Sequence, residues 1–394
     1  MTPIIYIHHE RALGGAPLSL LFLLRKLDRS KYEPHVICLR EGPAAEMYRK
    51  EGFPVQVIEG PDLSHTELVW FRWWQFPRLA ARLILSVPLF FRLRRALAAT
   101  AKNRPIVHLN SSTLVTAAMA ASSLSLPVIW HIREPLARGY IGFRRILLRL
   151  AIRALGTRII AISHNDAAQL GIKTPDTRLS VIYNFVDFSE FNATRPTGEI
   201  RKELGIPSDA SILLFLGGSA TVKGADVLLK AIPTLLGSLR SSCLVIAGET
   251  SPEFQLEAHA PHLSPFQNRL HLIGPRRDVP ALLADCSILL FPSTVPHFAR
   301  PVIEAAAMAK PVVASDLDGV RELVVRNETA ILVPPNDPVA LSRAVFDLAQ
   351  DTARAYRLGQ QGLVLAREKF DAQKNATATF GVYEQIQNTH ATGE

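Results

Sequence analysis

The chain has 394 residues, 48% of them hydrophobic, and its 44 lysines and arginines against 35 aspartates and glutamates give a formal net charge of +9. This length favours two domains of roughly 150–200 residues, and the apolar content excludes an intrinsically disordered protein. The basic excess favours anionic partners such as phosphates, nucleotides or acidic lipids.

The cysteines Cys38, Cys243 and Cys286 each lie alone within an apolar run. No CxxC or Cys/His spacing accompanies them, so the sequence predicts neither a zinc site nor a disulfide framework. We also expect no cofactor. The N-terminus, MTPIIYIHHE, lacks the pattern of a signal peptide, and the longest apolar stretches are too short to span a bilayer. These features predict a cytoplasmic protein.

In chain order, the first half alternates short apolar runs with helical patterns. A strand (PIIYIHH), a glycine turn (ALGGAP) and a helix (LSLLFLLRKL) are followed by EPHVICL, PVQVIEG, PIVHLN, PVIWHI and RIIAI. The second half repeats this alternation through SILLFLGG, SCLVIAGE, RLHLIG, SILLFPS, PVVASD and AILVPP. Such alternation predicts βαβ units and parallel sheets.

The polar stretch VIYNFVDFSEFNATRPTGE separates the two halves and has no apolar period. We therefore predict an α/β fold with two doubly wound, Rossmann-like domains that face each other across a cleft. The predicted boundaries are 1–190 for an N-terminal acceptor domain and 191–375 for a nucleotide-sugar domain. Residues 376–394 form a C-terminal helix or tail that packs back on the first domain.

The second-half segments FLGGSATVKGADVLLKA, LVIAGE, LIGPRRDVPALLADCSILLFPS and FARPVIEAAAMAKPVVASDLDGVRELV resemble the family-4 retaining glycosyltransferases. GGAPLSLL, IVHLNSS, PVIWHIRE and VIYNFVDFSEF match more weakly in the first half. The ordered set is specific, although one glycine pair alone would not be. The resemblance implies two Rossmann-like domains of the GT-B type, a nucleotide-sugar donor and no obligatory metal.

Lys223 follows a strand and precedes a helix, in SATVKGADVLL. The resemblance implies that it binds the donor diphosphate, since an ammonium beside a helix N-terminus stabilises phosphate charge. The alternative is a solvated loop lysine. The family usually carries an arginine where this chain has Gly218, so part of the phosphate clamp is missing.

Pro301 suits the first turn of a helix, in which we expect Glu304 to lie. An acid there could simply interact with the helix dipole. The resemblance instead places Glu304 on the second glutamate of the E-x7-E pattern, which holds the ribose hydroxyls. The first glutamate would fall on Pro296.

The residues between these two positions are also predicted to border the donor, namely His297, Phe298, Ala299 and Arg300. His297 or Arg300 could occupy the space of the missing glutamate. Arg300 could also supply the cationic charge that Gly218 lacks. The alternative for Arg300 is a structural salt bridge with a nearby acid.

In the first half, Gly14 and Gly15 resemble the glycine-rich loop of the family, which lies near the diphosphate; a plain tight turn is the alternative. The active-site histidine of the family aligns with Arg133 by counting, whereas His131 is the histidine present. Either is a candidate catalytic residue, and His131 could equally be structural. Glu249, Asp278 and Val279 stand at strand ends that should border the nucleotide.

Two segments combine arginines with apolar residues. Residues 67–95 contain six arginines, one glutamate and three of the four tryptophans, and a second stretch carries arginines at 144, 145, 149 and 153. Both suit an anionic membrane surface, unless their apolar faces are core and their arginines solvated. We predict peripheral contact with the inner face of the plasma membrane.

The sequence thus predicts a glycosyltransferase that moves a sugar from a nucleotide sugar to a glycan or a polyprenyl-linked acceptor. A nucleotide-sugar epimerase of the same architecture is one alternative, although the acid/base residues it needs are not evident. The other is a non-catalytic nucleotide-sugar-binding subunit, because of the losses at Pro296 and Gly218. No nucleic-acid recognition motif is present, and we expect no such partner.

Overall fold

The computed structural model describes residues 1–61, 73–172 and 176–391. Its contacts group into two compact units, the first comprising Met1–Asn184 with Ala372–Glu394 and the second Phe185–Asp371. The sequence-based boundaries fall at 190/191 and 375/376, a few residues later in each case. Residues 67–72 of the arginine-rich stretch and residues 392–394 of the predicted tail lie outside the described residues.

The first unit has a parallel sheet of seven strands in the order β3-β2-β1-β4-β5-β6-β7. The strands are β1 (Thr2–His8), β2 (Tyr32–Cys38), β3 (Val55–Val57), β4 (Ile106–Leu109), β5 (Val128–Ile132), β6 (Arg158–Ala161) and β7 (Leu179–Val181). Its helices are α1 (Gly15–Arg25), α2 (Pro43–Lys50), α3 (Phe76–Thr100), α4 (Val115–Ser122), α5 (Phe143–Leu155), α6 (His164–Gln169) and α15 (Ala372–Ala391).

The second unit has a parallel sheet of six strands in the order β10-β9-β8-β11-β12-β13. These are β8 (Ser211–Phe215), β9 (Ser242–Ile246), β10 (Leu270–Leu272), β11 (Ile288–Phe291), β12 (Val312–Ser315) and β13 (Ile331–Val333). The helices are α7 (Glu199–Leu204), α8 (Ala225–Ser238), α9 (Pro252–Ala258), α10 (Val279–Asp285), α11 (Arg300–Ala307), α12 (Asp318–Arg321), α13 (Pro338–Gln350) and α14 (Thr352–Lys369).

Both sheets are buried on two faces, which explains why their strands are near-continuous apolar runs rather than alternating ones. The strand order reverses once in each unit, between β1 and β4 in the first and between β8 and β11 in the second. Ligands of open α/β sheets bind at such switch points, beyond the carboxyl ends of the strands. The two parallel α/β units confirm the predicted fold class. A ligand site is expected at the loops that follow these four strands.

Candidate functional site

In the second unit, the turn at 221–224 and the loop at 292–299 meet at the switch point. The hydroxyl of Ser293 donates to the carbonyl oxygen of Val222 at 2.8 Å, and the amide of Thr294 donates to the same oxygen at 3.1 Å. Gly224 has φ +85°, and a Cβ there would lie 1.8 Å from the carbonyl oxygen of Pro292. The close approach of the two segments therefore requires glycine at this position.

Lys223 lies in this turn, two residues before α8 begins. Its side chain is half-buried, and burial lowers the pKa of its ammonium group. Among the described residues it has no carboxylate in ion-pair contact. A half-buried cation next to a helix N-terminus, without an internal counter-charge, is a place where an anion would be stabilised.

Gly218 packs against the chain that follows β9. It has φ +57°, and a Cβ would stand 2.1 Å from the carbonyl oxygen of Glu249. The amide of Ser219 donates to that same oxygen at 2.8 Å. A larger residue would force these backbones apart, so the arginine that the family resemblance implies for this position would have no room. The side chain of Glu249 itself is exposed.

Glu304 is buried on α11, which begins at Arg300 and has Pro301 in its first turn. The expectation that Glu304 lies in the first turn is wrong, because the helix begins four residues before it. The Nε group of Arg300 donates to Oε1 of Glu304 at 2.6 Å. Burial raises the pKa of the Glu304 carboxyl, and Arg300 opposes that rise. The salt bridge leaves the other carboxylate oxygen, Oε2, as an acceptor.

The other residues predicted to border the donor differ in burial. Phe298 and Ala299 are buried. His297 is half-buried, and its carbonyl oxygen would lie 2.3 Å from a Cβ at Gly319, so this loop is packed tightly against α12. Pro296, beside it, has no side-chain group that could replace a carboxylate.

Asp278 and Val279 lie where α10 begins. The Asp278 carboxylate accepts from Arg276 at 2.6 Å, and Arg276 also donates to Glu203 at 2.8 Å. The Arg276 guanidinium holds the pKa of the Asp278 carboxyl below its usual range. This ion-pair network joins the start of α10 to α7.

In the first unit, His131 belongs to a buried chain of polar side chains on neighbouring strands. Its Nδ1 lies 3.0 Å from Nε2 of His108, whose Nδ1 lies 2.7 Å from the hydroxyl of Tyr383 on α15. That hydroxyl in turn donates to the hydroxyl of Tyr6 at 3.2 Å. Burial lowers the pKa of both histidines, and the Arg133 charge acts in the same direction.

Arg133 follows β5 and is held by two asparagines. Its Nε donates to Oδ1 of Asn110, and its Nη1 donates to Oδ1 of Asn184, both at 2.6 Å. The amide group of Asn110 also donates to the carbonyl oxygen of Ala16, in the first turn of α1, at 3.2 Å. The guanidinium is thus fixed at the switch point between β1 and β4, close to the glycine turn.

The two glycines of the turn differ in the space that a side chain would have. Gly14 precedes α1 with an extended backbone, and a Cβ there would lie 3.2 Å from a carboxylate oxygen of Glu10. Among the described residues outside its own helical turn, none has an atom within 4 Å of a Cβ built at Gly15. A side chain at Gly14 would therefore approach the Glu10 carboxylate, whereas one at Gly15 would meet open space among the described residues.

Sequence reasoning missed several polar residues of this edge, notably Asn110, Ser112, Glu134 and Tyr383. Glu134 accepts from the amide and the hydroxyl of Ser112, at 2.7 and 2.6 Å. The run LNSS directly after β4 was a usable signal, because polar residues at the carboxyl end of a central strand often line a site. Nothing near Tyr383 in the sequence indicated that it reaches β1 and β4.

The first unit also exposes an apolar face on three helices. Helix α4 packs against both α3 and α5, and large hydrophobic residues are exposed on all three, namely Leu83, Ile84, Leu85, Val87, Phe91, Met119, Ile146, Leu147 and Leu150. We call these residues the apolar face. Within the described part of the chain, none of the helices has the length and hydropathy needed to cross a bilayer.

The arginines near the apolar face differ in their surroundings. Arg144 is buried, and the side chains of Arg145 and Arg149 each donate to a backbone carbonyl at 2.6 Å. The side chains of Arg145 and Arg149 therefore lie along the surface of the unit beside α5 and do not project into solvent. Arg94 and Arg95 on α3 are exposed.

Two family models match this chain. "Glycosyl transferases group 1" matches residues 196–363, and "Glycosyltransferase Family 4" matches residues 13–190. Together they span most of the sequence. The chain belongs to glycosyltransferase family 4.

Individual proteins give a consistent picture. A D-inositol 3-phosphate glycosyltransferase of Streptomyces avermitilis is 31% identical over 259 residues, which are 62% of this chain and 55% of the relative. The chain thus spans little more than half the length of this curated relative. HepE of Anabaena in complex with UDP has a TM-score of 0.79 and 20% identity, with 100% of each chain covered.

A glycosyltransferase from Rickettsia africae has a TM-score of 0.80 and 18% identity, and the comparison covers 98% of each chain. At these identities the two solved structures show the fold alone. The chain therefore has the two-domain GT-B fold of family-4 enzymes.

Proposed function

We propose that this protein is a glycosyltransferase that takes its sugar from a nucleoside diphosphate sugar. The observation that carries the proposal is Lys223, a half-buried ammonium beside the start of α8 without a carboxylate in ion-pair contact among the described residues. Rupture of a sugar–diphosphate bond leaves negative charge on the departing nucleotide. Lys223 and the amide groups at the start of α8 would stabilise that charge in the transition state.

Glu304 is the proposed ribose ligand. One of its oxygens accepts from Arg300, which holds the carboxylate in place, and the other remains for the hydroxyls of a ribose. A buried carboxylate next to a cation keeps its acceptor character in surroundings that would otherwise favour protonation. Uridine is the nucleoside we propose first, since HepE was solved with UDP and with UDP-glucose.

The acceptor is proposed to bind the first unit, near the switch point between β1 and β4. Arg133 is fixed there by Asn110 and Asn184, and a positioned guanidinium is suited to bind an anionic or hydroxyl-rich group. A glycan or a polyprenyl-linked sugar is the proposed acceptor class. The curated relatives named for D-inositol 3-phosphate also suggest a phosphorylated one. Retention of configuration is a family implication, which NMR of the product anomer would test.

Peripheral binding to an anionic membrane is the proposed role of the apolar face. Between Glu67 and Asp166 the sequence contains a single acidic residue, Glu134, so the helices carrying this face have no negative charge. Exposed apolar residues flanked by arginines fit the boundary between acyl chains and anionic headgroups. Such contact would hold the enzyme on the inner face of the plasma membrane, beside lipid-linked acceptors.

Vesicle sedimentation tests the membrane proposal. The double variant Arg94→Glu and Arg95→Glu changes two exposed side chains, and each charge is worth about 1 kcal/mol at an anionic surface. We expect binding to phosphatidylglycerol-rich vesicles to be lost. Binding to vesicles of neutral lipid should be weak in both proteins. Equal sedimentation of parent and variant with anionic vesicles would contradict the proposal.

A thermal-shift panel of nucleoside diphosphates and their sugars tests the main proposal. We expect stabilisation by one nucleotide and slow hydrolysis of its sugar form. Lys223→Ala should lower turnover by roughly a hundredfold or more, the typical loss when one charge-stabilising donor is removed. Lys230→Ala, on the surface of α8, is the matched control.

The same panel separates the alternatives. A nucleotide-sugar-binding subunit would be stabilised by the nucleotide but would neither hydrolyse nor transfer the sugar. An epimerase would invert a sugar carbon without releasing the nucleotide. Family membership favours the transferase over both.

A further inference from the structure

The imidazole of His297 is held by one of its two nitrogens. Nδ1 lies 3.0 Å from the carbonyl oxygen of Val295, and the ring packs against Phe291 with centroids 5.5 Å apart. A carbonyl oxygen can only accept, so Nδ1 carries the proton. In a neutral imidazole, Nε2 is then a hydrogen-bond acceptor.

The neighbouring serine supports this tautomer. The hydroxyl of Ser293 lies 3.3 Å from Nδ1, but its single proton has closer acceptors in the carbonyl oxygens of Val222, at 2.8 Å, and Val295, at 3.0 Å. Nδ1 therefore does not need to act as an acceptor for it. Burial lowers the pKa of His297, and the charge of Lys223 acts in the same direction. The hydrogen bond to Val295 opposes them, and the net lowering favours the neutral ring.

His297 and Lys223 stand on two segments that are joined directly. The hydroxyl of Ser293 binds the carbonyl oxygen of Val222, and the hydroxyl of Thr294 donates to the carbonyl oxygen of Thr221 at 3.0 Å. The loop at 292–299, PSTVPHFA, contains no acidic residue. The sugar is the next group along the donor after the diphosphate. A diphosphate at Lys223 would therefore bring the sugar within reach of this loop, because the loop is bonded directly to the turn that carries Lys223.

We propose that Nε2 of His297 accepts a hydrogen bond from a hydroxyl of the donor sugar and so determines which sugar the site prefers. The inference rests on the proposed nucleotide-sugar function and adds a specificity residue to it. Every sugar hydroxyl can donate, and an uncharged acceptor next to Lys223 satisfies it without introducing a negative charge close to the diphosphate. His297 contacts the sugar alone, so it contributes to sugar selection and not to nucleotide affinity.

Two conservative variants separate the roles of the two nitrogens. His297→Asn keeps a donor near the position of Nδ1, and thus the bond to Val295, but removes the distal acceptor. His297→Gln places an amide oxygen further out, where it can replace Nε2. The measured quantity is the ratio of the dissociation constants for UDP-glucose and UDP, from calorimetry. If the panel identifies another nucleotide, its diphosphate and its sugar form are used.

We expect His297→Asn to raise this ratio about threefold to tenfold, the usual effect of one neutral hydrogen bond, with the affinity for UDP unchanged. His297→Gln should restore most of the parent ratio. Identical ratios in all three proteins, or an equal loss of UDP affinity in both variants, would overturn the role of His297. Absence of any nucleotide binding by the parent would instead refute the proposed function, and the inference with it.

Discussion

Removal of the Tyr383 hydroxyl should destabilise the first unit. In Tyr383→Phe the hydrogen bonds to His108, at 2.7 Å, and to Tyr6, at 3.2 Å, are both lost. A buried hydrogen bond contributes about 1 kcal/mol net, and a buried group left without its partner costs about 1–3 kcal/mol. His108 is buried, so water cannot replace the lost hydroxyl without entering the core. We therefore expect a decrease of about 2–3 kcal/mol in the free energy of unfolding.

Tyr32 is a matched control on β2. Its ring packs edge-on against Tyr383, with centroids 5.7 Å apart, and its buried hydroxyl has no hydrogen-bond partner among the residues that the structure describes. Tyr32→Phe removes a desolvated polar group without breaking a bond, so stability should be unchanged or slightly higher. Each variant loses one tyrosine hydroxyl from the same aromatic cluster. The difference between their free energies of unfolding therefore measures the contribution of the Tyr383–His108–His131 hydrogen bonds.

Urea denaturation followed by circular dichroism and tryptophan fluorescence measures both variants. The relevant quantity is the shift in the midpoint of the first unit's transition at constant m-value. Equal midpoints for the two variants would show that the Tyr383–His108–His131 chain contributes nothing. A larger loss in Tyr32→Phe would show that ring packing, rather than hydrogen bonding, dominates this cluster.

Two further predictions follow from the buried ionisable groups. Burial lowers the folded-state pKa of His8, His108 and His131. Below about pH 6.5 the unfolded chain therefore binds more protons than the folded chain. The first unit should lose stability from about pH 6.5 downwards, by up to ~1.4 kcal/mol per pH unit for each histidine. Urea titrations between pH 7.5 and 5 measure this loss. Glu304, whose pKa is raised, acts in the opposite direction but lies in the second unit. A stability that does not change with pH would contradict the assignment of the three histidines as neutral in the folded protein. Glu304→Gln should weaken nucleotide binding roughly tenfold to a hundredfold, because a charge-assisted hydrogen bond is worth about 1.5–3 kcal/mol. The fold should survive this substitution. The parent should discriminate against the 2′-deoxynucleotide and the variant should not; equal discrimination in calorimetry would exclude Glu304 as the ribose ligand.

Local patterns in the sequence determined the type and order of most elements. Apolar runs such as SILLF and VIWHI form strands wherever both faces of a sheet are covered, and glycine turns such as the one at Gly224 mark strand-to-helix junctions. These features depend on neighbours in the chain, so they can be read without a structure. The position of Lys223 at such a junction was predictable for the same reason.

The partners of the polar side chains were decided by tertiary structure alone. Tyr383 meets His108 across 275 positions of sequence, and Arg133 meets Asn184 across 51. The arginines of α5 have the spacing of a charged face, yet Arg144 is buried and Arg145 binds a carbonyl, because the packing of the unit places that side of the helix inward. Likewise Glu304 is paired with Arg300 because the helix begins at Arg300 and places the two residues one turn apart. Contacts between distant segments depend on how the elements pack, which no local pattern specifies.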